Sequence, residues 1–162
     1  MEMPKRKNMR LKDYDYGQNG AYFITMCAHN RQHLFGEIVG ATLRGRLNLP
    51  DAMLEKWLHE IPNKYANVQI DKFVIMPNHI HAIVLIAGDH IGSPLPQIIG
   101  WVKTMTTNEY IRGVKNGLYE PFEKRIWQRS YYDHIIRNEE EYLRIWEYIG
   151  ENPLKWAEDE YY

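Results

Sequence analysis

Apolar residues recur along this chain with two different spacings, and each change of spacing marks an element. AYFITMCA (residues 21–28) is an unbroken β-branched and aromatic run behind the turn residues Gly17 to Gly20, which predicts a strand. LFGEIVGATLRGRLNL predicts a short hairpin with Gly40 near its tip. In DAMLEKWLHEIPNKY, Met53, Leu54, Trp57, Leu58 and Ile61 share one face of a 3.6-residue repeat. A helix is therefore expected to begin at Pro50 and Asp51 and to end or kink at Pro62 and Asn63. VQIDKFVIM (68–76) alternates and then turns continuously apolar, the pattern of a strand entering the middle of a sheet. HIHAIVLIA (79–87) follows across Pro77 and Asn78 as its hairpin partner.

Gly88 to Pro96 reads as a loop. LPQIIGWVKTMTTNEYIRG then returns to helical spacing, with Ile98, Ile99, Val102 and Met105 inward. Gly113 to Glu123 is a turn-rich connection, and IWQRSYYDHII (126–136) a last strand or extended segment. Asn138 is placed to cap NEEEYLRIWEYIGENP, whose early glutamates suit a helix N-terminus and whose apolar stripe is Tyr142, Ile145, Trp146 and Ile149. The order implies an α+β fold. Its centre is a ferredoxin-like β-α-β-β-α-β core with an antiparallel sheet, extended by a C-terminal helix. One domain over residues 1–162 is expected, since the length suits one core and not two.

Composition adds little to this. Hydrophobic residues are 44% and charged residues 25%, ordinary for a soluble globular chain. A single cysteine, Cys27, excludes an internal disulfide framework and a cysteine-rich zinc site, so an intracellular setting is the default. The net charge of −1 announces no polyanion partner. Its distribution is more telling: residues 1–12 form a basic arm with Lys5, Arg6, Lys7, Arg10 and Lys12 against Glu2. Such an arm neutralises phosphates locally, and is equally readable as a solvated tail.

One detail breaks the apolar pattern. His79 and His81 stand two apart in a strand, so both imidazoles project from the same face. Paired histidines on a rigid strand are half of a preorganised metal site; the plainer reading is two core histidines satisfied by backbone carbonyls. No HExxH spacing is present among the histidines.

MPNHIHAIVLI resembles the histidine-hydrophobic-histidine (HUH) motif of single-tyrosine transposases, in particular the REP-associated tyrosine transposase family. NGAYFITMCAHNRQHLFGEI, WVKTMTTNEYIRG and IWQRSYYDHIIRNEEEYLRIWEYIGENPLKW are similar to the same family, so the resemblance runs from about Arg10 to Trp156. It implies an enzyme dependent on Mg²⁺ or Mn²⁺ that cuts single-stranded or hairpin DNA through a tyrosine nucleophile. The strand would be rejoined through a 5′-phosphotyrosine intermediate. It also implies a cytoplasmic, nucleoid-associated bacterial protein acting as a monomer or homodimer, with no membrane partner.

The tyrosines near the end are Tyr131, Tyr132, Tyr142, Tyr148, Tyr161 and Tyr162. At about 100° per residue, Tyr148 lies roughly 110° from the centre of the last helix's apolar stripe, on its flank. Asn152 shares its face one turn on, whereas Tyr142 has Trp146 at that spacing. The resemblance points the same way. The family's tyrosine lies just before an Asn-Pro and maps to Tyr148 in YIGENP; its polar metal ligand maps to Asn152, beside His79 and His81. His134 in YYDHIIRN matches a family histidine, either one that holds a residue of the site in place or a purely structural one. Lys5, Arg6, Lys7, Arg10, Lys103, Arg125, Arg129 and Arg137 are candidate DNA contacts, each also readable as an ordinary surface charge. Other readings stay open: a non-catalytic ferredoxin-like nucleic-acid-binding module, a domesticated HUH nickase without strand transfer, or a histidine-metal hydrolase that needs no tyrosine.

Overall fold

The computed structural model describes residues 20–39, 42–44, 50–87 and 94–159. The basic arm, with Lys5, Arg6, Lys7 and Arg10, lies outside the described residues, as do Gly40, Tyr161 and Tyr162. The elements are β1 (Gly20–Cys27), β2 (Glu37–Val39), β3 (Thr42–Arg44), α1 (Asp51–Lys64), β4 (Val68–Met76), β5 (His79–Ile86), α2 (Pro94–Lys115), β6 (Tyr132–Ile136) and α3 (Glu139–Glu151). Strands β2 and β3 pair only with each other among the described residues. The other four form an antiparallel sheet in the order β4-β5-β1-β6.

The central strands are the two most continuously apolar runs, and that is why they are central: both of their faces are covered. Tyr22, Ile24 and Met26 of β1 share a face with Ile80, Ala82, Val84 and Ile86 of β5. Helices α1 and α2 cover this face with Met53, Leu54, Leu58, Ile61, Leu95, Ile98, Ile99 and Val102. The opposite face presents Phe23, Ile83, Tyr132 and Ile136, and Ile145 and Ile149 of α3 close over it. The sheet thus has a thick side under two helices and a thin side under one. His79 and His81 are on the thin side.

Most sequence expectations hold within a residue or two; the last strand is shorter, beginning at Tyr132 and not at Ile126, with a single bridge at Trp127 before it. Helix α1 begins at Asp51 behind Pro50 and runs past Pro62 to Lys64. Asn138 caps α3, its side-chain oxygen accepting the Glu141 N–H at 2.8 Å. Three expectations change. Strand β4 is an edge strand, apolar on both faces in its second half because helices cover both, and it carries a bulge at Asp71. Ile70 pairs with Val84 and Lys72 with Ile83, so Asp71 is the extra residue. Before it, Val68 and Ile70 face α1 and α2; after it, Phe73 and Ile75 do, while Lys72 and Val74 turn toward α3. The second change is in α3. Trp146 belongs to the predicted stripe but is 41% exposed, out beside the edge strand, with the Lys72 ammonium 3.5 Å from its ring centroid. Met105 is half-buried, not fully inward.

No helix among the described residues is long and apolar enough to cross a membrane.

Candidate functional site

The turn Pro77–Asn78 delivers His79 and His81 to the start of β5, where they face Cys27 and Thr25 of β1 and Met76 and Val74 of β4. Their exposures are 0% and 1%. Imidazoles so deep need partners for both ring nitrogens, and the outer nitrogens have them. His79 Nδ1–H donates to Asn78 Oδ1 at 2.7 Å, and His81 Nδ1 is 2.8 Å from Thr25 Oγ1. An amide oxygen only accepts, so the proton of a neutral His79 sits on Nδ1 and its Nε2 lone pair points inward. That lone pair meets His81 Nε2 at 3.1 Å. Outer contacts that fix the tautomer and aim Nε2 at a common point are how metal-binding imidazoles are held.

Helix α3 passes over this pair. The Tyr148 ring, half-buried, lies 5.4 Å from the His81 ring and 6.0 Å from Phe23, which itself stacks on His81 at 5.3 Å. The predicted flank position is what brings Tyr148 beside the histidines and not under the helix. One turn later Asn152, 4% exposed, donates from Nδ2 to the Tyr148 carbonyl at 3.1 Å. Its Oδ1 is buried and has no hydrogen-bond partner among the described residues. A buried amide oxygen left unsatisfied costs about 1–3 kcal/mol unless something meets it. The donor set of two imidazole Nε2 atoms with a carbonyl-type oxygen fits a divalent ion.

Tyr131 packs on the other side of the sheet with Trp127, Tyr132 edges Phe23 at 6.2 Å, and the Tyr142 hydroxyl donates to Asp71. His134 has its Nε2 on the carboxylate of Glu141, which also accepts the Arg137 N–H at 2.9 Å. These bonds tie β6 to the first turn of α3. Burial pushes the Glu141 carboxyl up, but the Arg137 amide and His134 outweigh it and hold the group below the usual carboxylate range. Lys103 donates to the carbonyls of Gln128 at 2.8 Å and Ser130 at 3.0 Å, so its ammonium organises the segment before β6. Arg129 and Arg137 are exposed. Arg125 is half-buried, with a buried Nε that has no hydrogen-bond partner among the described residues.

Sequence reasoning missed one group here. After α3 a short turn brings Trp156 and Asp159 back to the histidines: the Trp156 ring is 6.0 Å from that of His79, and Asp159 Oδ2 is 3.7 Å from His79 Nε2. Ligand atoms of His79, His81 and Asp159 all lie within 4.8 Å of one another. Nothing in the local pattern marks Asp159 among the acids of the last segment. Asn78, by contrast, was visible as the residue preceding the pair.

Residues 18–152 match the family model described as "Transposase IS200 like". An uncharacterized protein of Haemophilus influenzae is 38% identical over 169 aligned positions, covering 97% of this chain and 93% of that protein. Among solved structures, a REP-associated tyrosine transposase bound to a REP hairpin superposes with a TM-score of 0.60. The match is 24% identical and covers 91% of this chain and 74% of that one. A crystal structure of a candidate transposase from Deinococcus radiodurans R1 gives a TM-score of 0.54 at 14% identity, covering 86% and 94%. At these identities both likenesses are of fold.

Proposed function

The chain belongs to the IS200-like transposase family, and from that premise we propose that it cuts and rejoins single-stranded DNA with Tyr148 as nucleophile. One observation carries this reading: a half-buried tyrosine lies against a histidine pair whose Nε2 atoms converge, with an unsatisfied amide oxygen on its own helical face. His79, His81 and Asn152 would hold a divalent ion, Mg²⁺ or Mn²⁺. When bound, such an ion polarises the scissile phosphate and eases departure of the leaving oxygen.

The protein's own share follows from the geometry. Asn78 and Thr25 keep both imidazoles turned inward, and Phe23 fixes the plane of His81. Helix α3 carries Tyr148 over them on a rigid support, which favours in-line attack. The Tyr148 oxygen bonds to phosphorus as the bond from phosphorus to the 3′ oxygen breaks. The phenol loses its proton, the 3′ oxygen gains one, and the 5′ end stays on the enzyme as a phosphotyrosine. Attack on that linkage by another 3′ hydroxyl reverses the step, and no nucleotide cofactor is needed. The REP-associated structural relative is bound to a DNA hairpin; a hairpin with a flanking single strand is the proposed substrate here. The exposed Arg129 and Arg137 and the basic arm with Lys5, Arg6, Lys7 and Arg10 are proposed backbone contacts.

Incubating the full chain with labelled hairpin-flanked single-stranded DNA and Mn²⁺ tests the reading. An SDS-resistant protein–DNA adduct mapped to Tyr148 by mass spectrometry is expected. Metal-independent binding without an adduct would instead identify a nucleic-acid-binding module. Cleavage without rejoining would identify a nickase.

A further inference from the structure

We infer that Asp159 is itself a ligand to the ion held by His79 and His81, an anionic donor delivered by the turn that follows α3. The inference rests on reading the histidine pair as a metal site and adds a residue to it. The first ground is burial. The Asp159 side chain is 4% exposed and lies against His79, so its carboxylate faces the interior of the site and not solvent.

The second ground is distance. At 3.7 Å, Asp159 Oδ2 and His79 Nε2 are too far apart for a hydrogen bond between them. Two donors on one ion, each at about 2.1–2.2 Å and 90–120° apart, stand roughly 3.0–3.8 Å from each other. The 3.7 Å separation and the 3.1 Å between the histidine Nε2 atoms fall in that interval, and the widest separation among the three ligand atoms, at most 4.8 Å, closes to it with a shift of about 1 Å or less.

The third ground is charge. Two neutral imidazoles and an amide oxygen bring no negative charge, whereas hard divalent ions favour at least one carboxylate. The turn is also built to stay in place. Lys155 N–H donates to Glu151 O at 3.1 Å, Glu158 N–H to Lys155 O at 2.9 Å, and Asp159 N–H to Trp156 O at 3.1 Å. The chain therefore continues from α3 as a bonded spiral. The Trp156 ring lies 6.0 Å from that of His79 and 5.7 Å from that of His33.

Calorimetric titration of the full chain with Mn²⁺, without DNA, tests this. Asp159→Asn keeps the size and removes the charge; it should bind Mn²⁺ at least about tenfold more weakly than wild type. Its melting temperature in EDTA should stay within a few degrees of wild type. A variant that binds Mn²⁺ as tightly as wild type overturns the assignment of Asp159 and leaves the histidine site standing. Wild type that binds no Mn²⁺ overturns both. A second measurement needs no variant: in crystals of wild type grown with Mn²⁺, the anomalous peak should lie within about 2.3 Å of an Asp159 oxygen. A peak on the histidines with Asp159 beyond 3 Å would show an adjacent carboxylate, not a ligand, and overturn the inference.

Discussion

Tyr148→Phe removes one oxygen and keeps the ring that packs on His81 and Phe23. Stability should change by about 1 kcal/mol or less, and DNA binding should survive. Adduct formation should fall below detection, because covalent catalysis has no substitute for its nucleophile. Tyr131→Phe, Tyr132→Phe and Tyr142→Phe should each still form the adduct; DNA found on any of them would relocate the nucleophile. His79→Ala or His81→Ala should lower cleavage by at least about a hundredfold. EDTA should do the same to wild type, and full activity in EDTA would remove the metal from the reaction. At this scale the sequence was most informative where neighbours are close in the chain. The spacing of His79 and His81 on a strand, and of Tyr148 and Asn152 on a helix, fixes shared faces without knowledge of the fold. Thr25 and Asp159 reach the histidines only through tertiary folding, so nothing local revealed them.

Helix α3 is the element on which the chemistry turns, and it is held at both flanks. Asn138 caps it, Glu141 reaches His134 on β6, and Tyr142 reaches Asp71 on β4. The hydrogen bond to Asp71, then partial burial, raises the Tyr142 hydroxyl from its ordinary value to about 12. A raised acid stabilises the fold below its unfolded value near 10 and loses that contribution as pH rises toward 12. The melting temperature of wild type should thus fall more steeply than that of Tyr142→Phe between pH 10 and 12, followed by calorimetry. Equal slopes would show that this contact does not help hold the helix. The element was legible in extent and in its cap, but its inner face was drawn too wide. Periodicity placed Trp146 with Ile145 and Ile149; the sheet ends before it reaches that side, leaving the indole to a lysine.

For the whole molecule, the unequal faces of the sheet set an order of stability. Helices α1 and α2 bury one side deeply, while α3 covers the other mainly through Ile145 and Ile149. Native-state hydrogen exchange should find the amides of β1 and β5 slowest and those of α3 distinctly faster. Equal protection would mean that α3 unfolds only with everything else. Gly113, near the end of α2, bears on the thick side: a Cβ there would meet the Tyr119 ring at 2.1 Å. Gly113→Ala should cost about 1–3 kcal/mol in denaturant titration, with the tyrosine chemistry retained. The succession of strands and helices was readable from spacing alone. The lateral order of the strands was not, because an edge strand buried beneath helices looks as apolar as a central one.

The extra residue at Asp71 has a consequence for how this chain can vary in length. A strand counts in twos, so Asp71 works like a one-letter shift in a two-letter reading frame. Every residue from Lys72 to Met76 is read in the shifted frame, up to the turn that sets His79. Removing Asp71 alone would make Ile70 and Lys72 neighbours opposite Val84 and Ile83, so Lys72 would still point at α3 and Phe73 under α1 and α2; the bulge would vanish and the facing of the strand would stay. A one-residue deletion should therefore be tolerated at Asp71, whereas one between Lys72 and Met76 would turn every side chain beyond it to the wrong face before the turn is reached.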